Sequence, residues 1–370
     1  MNYSYLKSKS FGIPSLIWAI YVIVIIILFS IGNSKYLTIP QALTQWDGQH
    51  YNTIAYSGYE AFPCPENNSL ICGNVGWFPF YPMVGRIVGT VLSFFGAGFR
   101  WALPVTSLLS LWGALLLLFS MVEKRYDLRT AIYSITAMLL FPSSFYFATA
   151  FPYSLFLLLS LLVFYFLERR YYLLSSIPAG LLSITYPSGI VIALPILWVL
   201  LSERKNLTNK NRLSLLISFM STGFSLLMYS LYNSWRFGDF FLYLHFQQKP
   251  YYAHDAAFPM VTIFKSLATF QFGHPVYIML VFIILAVILF YNKKTLVSWQ
   301  IFMFGILLFT PTAGTTDCYY RHIVAAFPLF VMIGNSLNTW RRYLLPIYAI
   351  ASIVLMWFVY LNNFKLGLLM

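Results

Sequence analysis

The feature that most limits how this chain can fold is where its charges are absent. Apolar runs cover 11–31, 101–121, 130–149, 151–167, 172–201, 213–233, 274–291, 297–311, 322–338 and 343–361, and no Asp or Glu falls in the middle of any of them. Runs of about 20 apolar residues match the hydrocarbon thickness of a bilayer, where a helix satisfies its own backbone polar groups. Only 9% of the 370 residues are charged and 60% are apolar, against about 25% and about 45–50% in soluble domains. Such a chain cannot cover a soluble surface, and it is far too hydrophobic to be disordered. A soluble enzyme is excluded. The expectation is an all-α polytopic membrane protein, a single integral domain over residues 1–370 with about eleven transmembrane helices.

The formal charge of +13 would suggest nucleic acid in a soluble protein. In a membrane chain it marks short loops held on the cytoplasmic side, so no nucleic-acid partner is expected. The clusters Lys7/Lys9, Lys124/Arg125/Arg129, Arg169/Arg170, Arg204/Lys205/Lys210/Arg212, Lys293/Lys294 and Arg341/Arg342 all fall on that side if 77–96 lies along the outer interface instead of crossing. This places the N-terminus in the cytoplasm. The run at 11–31 is then a retained span, too long for a signal-peptide core and without a small-residue cleavage site. The stretch 172–201, broken by Pro178 and Tyr186-Pro187-Ser188-Gly189, reads as two short or re-entrant helices.

Outer loops follow at about 32–100, 234–273 and 312–321. They hold Asp47, Glu60, Glu66, Asp239, Asp255 and Asp317, and they hold or border His50, His245, His254, His274 and His322. Chemistry is therefore expected at the outer membrane face. In the first of these loops, Asp47 could cap a helix starting at Gly48. On that helix His50 and Tyr51 lie one turn on, with the three polar tips on one side. A carboxylate so placed can take a proton from a hydroxyl nucleophile.

The stretch WDGQHYNTIAYSGY (46–59) followed by WFPFYP (77–82) resembles the signature of the PIG-V-like mannosyltransferases, membrane glycosyltransferases of the GT-C class related to GPI-anchor synthesis. Three further segments are similar to that family: Trp235-Arg236-Phe237-Gly238-Asp239 with 240–247, Phe141-Pro142-Ser143-Ser144 through Ser154-Leu155-Phe156, and Tyr320-Arg321-His322 with Phe327-Pro328-Leu329-Phe330. Three positions depart from it. Tyr153 stands where the family usually has an acid, and Tyr186 and Ser188 replace an Arg and an Asn.

The resemblance implies a GT-C-type helical bundle. It implies transfer of a sugar, most simply mannose, from a polyprenyl- or dolichyl-phosphate donor to a glycan or glycolipid acceptor, with inversion, on the non-cytoplasmic face. Asp47 matches the family's essential acid and would be the general base. The leaving polyprenyl phosphate is already a stable anion, so positive charge matters more than acid assistance. Arg321 is the first candidate to hold it, by a bidentate contact. Arg236, His322 and Lys249 come second, with His50 and Tyr51 beside the base. Interface anchoring or snorkelling is the competing account of each cation.

The aromatic set Tyr59, Trp77, Phe78, Phe80 and Tyr81 is either an interfacial belt or a wall for sugar or lipid, and Arg86 either touches phosphate or sits at the headgroups. Cys64 and Cys72 share an outer loop where an oxidising face would permit a disulfide. His50, Asp239, His245 and His254 share the outer side, but no ligand spacing points to a divalent metal. The rival class is a transporter or lipid flippase. Such carriers place ionisable groups near mid-membrane, which this chain does not.

Overall fold

The computed structural model describes residues 3–32, 37–65, 67–249, 252, 254–268, 295–316 and 319–360. The expected span at 274–291 lies outside these. The helices, in chain order, are α1 (Tyr3–Gly32), α2 (Ile39–Leu43), α3 (Asp47–Ser57), α4 (Phe80–Phe94), α5 (Ala102–Arg125), α6 (Leu128–Leu140), α7 (Tyr153–Glu168), α8 (Ser176–Ser183), α9 (Ala193–Ser202), α10 (Asn209–Phe237), α11 (Leu242–Gln247), α12 (Pro259–Ala268), α13 (Val297–Phe309), α14 (Tyr319–His322), α15 (Phe327–Thr339) and α16 (Arg341–Tyr360).

Among the described residues, three stretches are long and apolar enough to cross a bilayer by themselves: Ser10–Ile31, Phe99–Arg125 and Asn209–Phe237. A fourth candidate is the bent pair Tyr319–Ala325 and Phe327–Thr339, turned by 76°. The molecule is thus an integral membrane protein. Its outer helices carry apolar side chains outward. Ile23, Ile27 and Ile31 on α1 and Leu213, Met220 and Phe224 on α10 are all exposed, as lipid contact requires and water would oppose.

The other apolar runs of the sequence form shorter helices, and the breaks have local causes. The run at 130–149 does not stay helical. It ends at Leu140, because Phe141 precedes Pro142 and takes an extended backbone (φ −57, ψ 139). A 3₁₀ turn, Ser144–Phe147, follows. The stretch 172–201 divides as its prolines foretell, into α8, a 3₁₀ turn at Pro187–Ile192, and α9.

The structure also adds what a purely helical expectation lacks. Ala61–Cys64 and Asn67–Gly73 pair as an antiparallel hairpin in the first loop, closed by a Cys64–Cys72 disulfide. Pro63 and Pro65 deny this stretch a helix, since each lacks an amide donor and clashes with a preceding turn.

Inside the bundle, α6 packs on α15, α5 on α7 and α1, and α8 on α10. Trp299, Phe302, Phe164 and Phe327 interlock by edge contacts at the centre and are buried. The tightest helix approach is at Gly334 of α15. A Cβ there would meet the backbone of α6 at Ser134, with N and Cα at 2.5 and 2.7 Å, which no rotamer change can relieve. We expect Gly334→Ala to push α6 and α15 apart and lower stability by about 1–3 kcal/mol, the usual effect of overpacking. Gly113→Ala, whose Cβ would meet nothing nearer than 3.5 Å, is the control in a thermal melt. Equal melting temperatures for the two variants would refute this account of the α6–α15 contact.

Candidate active site

The first loop is built to present Asp47. Trp46 sits in the left-handed region (φ 59), an uncommon place for a large residue, and turns the chain directly into α3. Asp47 is the first residue of that helix, and its side chain does not cap it. Gly48 follows because α3 runs close over the loop after α6. A Cβ on it would stand 3.1 Å from the Ala150 Cβ and 3.3 Å from the Ala150 carbonyl. Ala150 is in turn fixed by its amide donating to the Leu43 carbonyl (2.8 Å). The far end of α3 is tied by Arg86 of α4, which donates from Nε to the Ala55 carbonyl (2.7 Å) and from Nη2 to the Tyr56 carbonyl (3.0 Å). Arg86 is therefore a helix clamp here, a role its position in the sequence does not suggest.

A second set of contacts brings in Arg321, far along the chain. Ser143 donates to the Tyr320 carbonyl (2.6 Å), and Tyr319 donates to the Leu307 carbonyl (2.8 Å). These pin α14 against α13 and the turn after α6. Arg321 Nη1 then meets Asp47 Oδ2 at 2.9 Å, with side chains 14% and 27% exposed. The two residues with the most consequential expected roles are thus one ion pair, shielded enough to feel each other strongly and open enough to exchange partners.

The pair stands on the shared wall of two cavities. One, of about 910 Å³, is lined by amides and hydroxyls: Gln41, Thr44, Gln45, Gln49, Asn52 and Thr53, together with His50 and Arg100. The other, of about 410 Å³, is lined by Tyr51, Trp77, Phe78, Tyr186, Tyr243, Leu244 and Phe309, with His322 at its wall. Asp47, Arg321, Tyr252 and His254 line both. The chemistry of the two differs. The first suits sugar hydroxyls, the second an apolar chain or a sugar ring laid on aromatic faces.

The remaining expected residues distribute unevenly. His50 stacks on Trp77, ring centres 3.7 Å apart. Burial pushes its pKa below the ordinary histidine range, against the opposing pull of Asp47, so the ring is neutral at pH 7. Tyr51 is buried beside the pair. Burial, and after it Tyr186 and Asp47, pushes its hydroxyl well above the usual phenol range, leaving a neutral donor. His322 Nδ1 lies 3.2 Å from the Tyr186 hydroxyl and 3.5 Å from that of Tyr153.

Lys249 lies with its ammonium 3.6 Å from the Phe246 ring centre, and lines neither cavity. Arg236 lies 5.6 Å from the Phe237 ring centre at the end of α10 and is likewise outside both. The structure does not bring either of these cations to Asp47. Asp239 pairs with His245 at 2.6 Å on the exposed surface. Among the described residues, no three His, Cys, Asp or Glu side chains converge as metal ligands would.

The sequence reading missed Tyr252, His254, Gln247 and Arg100 as site residues. His254 Nδ1 donates to Gln247 Oε1 (2.9 Å), and Gln247 Nε2 donates to the Gly76 carbonyl (3.2 Å). This links the middle outer loop to the WFPFYP segment. Nothing in the local sequence marks Arg100. His254 was legible only as an outer histidine.

No protein-family model and no curated protein matches the chain. Solved structures do. An apo-form oligosaccharyltransferase from Archaeoglobus fulgidus superposes with a TM-score of 0.51 at 13% identity, over 96% of this chain and 55% of that one. The bundle has the oligosaccharyltransferase fold. The likeness is one of fold, at a sequence identity too low to name a family. A second structure of the archaeal oligosaccharyltransferase AglB, in complex with an inhibitory peptide and a dolichol-phosphate, aligns at a TM-score of 0.49 and 14% identity, over 91% of this chain and 55% of that one. The chain spans about half the length of the structures it matches, 55% in both cases.

Proposed function

We propose that this protein is a membrane glycosyltransferase that moves a sugar, mannose by preference, from a polyprenyl- or dolichyl-phosphate donor to a glycan or glycolipid acceptor on the non-cytoplasmic face. The single observation that carries the reading is the Asp47–Arg321 pair at the junction of an amide-lined and an aromatic-lined cavity. The shared fold with an oligosaccharyltransferase supports it, and so does the WDG and WFPFYP resemblance.

In this reading the donor enters the aromatic cavity with its prenyl chain toward Phe78, Leu244 and Phe309. Its phosphate competes for Arg321, whose planar guanidinium meets two phosphate oxygens at once. Asp47 then loses its cationic partner and turns to the acceptor hydroxyl in the polar cavity. Asp47 takes the hydroxyl proton as the oxygen attacks the anomeric carbon. The bond from that carbon to the phosphate oxygen breaks, the configuration inverts, and polyprenyl phosphate leaves as an anion held by Arg321. Ion pairing in the resting state thus keeps the base masked until donor arrives.

The test uses sealed right-side-out membrane vesicles containing the protein and polyprenyl-phosphate [³H]mannose. Label should pass to a membrane acceptor while free polyprenyl phosphate appears in equal amount. Donor that crosses the bilayer intact, with no release of polyprenyl phosphate, would make the protein a carrier and end this reading.

A further inference from the structure

A third cavity, of about 590 Å³, lies at the opposite end of the bundle. The α7 helix marks the distance. It begins at Tyr153, beside His322, and ends 15 residues later at Glu168 on the third cavity's wall, about 22 Å away at the helical rise. Four cations line it, Lys124, Arg125, Arg169 and Arg170, against two carboxylates, Glu168 and Glu203.

The carboxylates are engaged. Glu168 pairs with Arg125 at 3.4 Å, and Glu203 interacts with the Tyr172 hydroxyl. Arg125 is further held 5.7 Å from the Trp299 ring centre. Glu203 keeps its negative charge, so the wall carries a surplus of two positive charges (four cations less two carboxylates), with Lys124, Arg169 and Arg170 all exposed. Arg170 occupies the left-handed region at φ 60, one of only two non-glycine residues to do so among the described residues. A glycine would fit that backbone without cost.

What lies beside the cations decides the ligand. Directly after Arg170, Tyr171, Leu173 and Leu174 are exposed at 56%, 54% and 49%. Exposed apolar side chains that follow Arg170 in the chain, outside the cavity's own lining, together with a cationic wall match a molecule with an anionic head and an acyl body. They do not match an ion that arrives from water. Basic pockets between transmembrane helices bind phosphate headgroups in just this way.

We infer that this cavity is a binding site for the headgroup phosphate of an anionic phospholipid, separate from the candidate active site. The phosphate sits between Lys124, Arg169 and Arg170, and the acyl chains lie against Tyr171, Leu173 and Leu174. The inference does not depend on the glycosyltransferase reading.

The experiment measures the melting temperature of the full chain in nanodiscs of phosphatidylcholine with and without phosphatidylglycerol, and lipid retention by native mass spectrometry. Phosphatidylglycerol should raise the melting temperature by several degrees. In the variant Lys124→Gln/Arg169→Gln/Arg170→Gly the rise should vanish, with apparent affinity falling about five-fold for each charge removed. Arg170→Gly alone separates binding from folding. It relieves the backbone, so a purely structural arginine would leave the variant equally or more stable in both lipids, whereas a ligand-binding one loses part of the phosphatidylglycerol effect only.

A variant with three exposed cations removed elsewhere, Arg129→Gln/Lys205→Gln/Lys210→Gln, controls for bulk surface charge. Soluble glycerol 3-phosphate distinguishes the source. No shift with it assigns the site to lipid, and an equal shift keeps the phosphate site but assigns it to a soluble ester. A phosphatidylglycerol effect retained by the cavity variant, or lost equally in the control variant, overturns the site.

Discussion

Asp47→Asn should reduce sugar transfer by about 10²–10⁴-fold, the usual loss on removing a general base, with the fold intact. The substitution keeps the size of the side chain. It also keeps one oxygen able to accept from Arg321 Nη1, which stands 2.9 Å from the native carboxylate. The fixtures that position residue 47 are independent of its charge: the left-handed turn at Trp46, the close pass of Gly48 over Ala150, and the Arg86 clamp on Ala55 and Tyr56. Activity should therefore collapse while the melting temperature moves little. A turnover near that of the wild type would remove Asp47 from the chemistry.

Arg321→Lys is the second large effect expected. The charge and the attraction to Asp47 survive, but the fork of parallel N–H donors does not. One hydrogen bond to a charged group is worth about 1.5–3 kcal/mol, so kcat/KM for the donor should fall about 10–100-fold, chiefly through weaker donor binding. An anchoring role at the membrane surface would make the same change nearly silent, because a lysine snorkels as well. The double variant with Asp47→Asn should lose less than the product of the single losses, since the two side chains touch and act as one unit. Steady-state kinetics with varied donor measure all three.

The sequence made the membrane class legible because apolar length and absence of charge are local properties. It also made both members of the central pair legible as individual residues. Their union was not, because it depends on the Ser143–Tyr320 and Tyr319–Leu307 bonds that dock α14, and no spacing encodes a contact between residues 47 and 321. The prolines at 178 and 187 announced the broken helices correctly. Pro142 did the same for α6, but inside an apolar run its signal is masked by hydrophobicity. The hairpin at 61–73 escaped notice for a different reason. It is too short and too polar to show a strand period, and it is held by a disulfide more than by a hydrophobic face. Arg86 shows the limit of reading a charge by its depth. Its partners are backbone carbonyls at a helix end, which leave no trace in composition.

Tyr153 and Tyr186 gain meaning only in three dimensions. They are two of the positions where the chain departs from the family it resembles, and both meet His322 with hydroxyls within 3.5 Å of each other. Where a charged pair would be expected, a hydrogen-bonded set stands instead, of which Tyr186 and His322 line the aromatic cavity. That arrangement leaves Arg321 as the arginine common to both cavities.

The most direct test of the central claim is where the donor lies. A polyprenyl phosphate carrying a diazirine in its first isoprene units, photolysed with the purified protein and mapped by mass spectrometry, should label the aromatic cavity at Trp77, Tyr186, Tyr243 or Tyr252. In Arg321→Lys that labelling should fall in proportion to donor binding. Labelling confined to the lipid-facing surfaces of α1 and α10, unchanged by Arg321→Lys, would contradict the account.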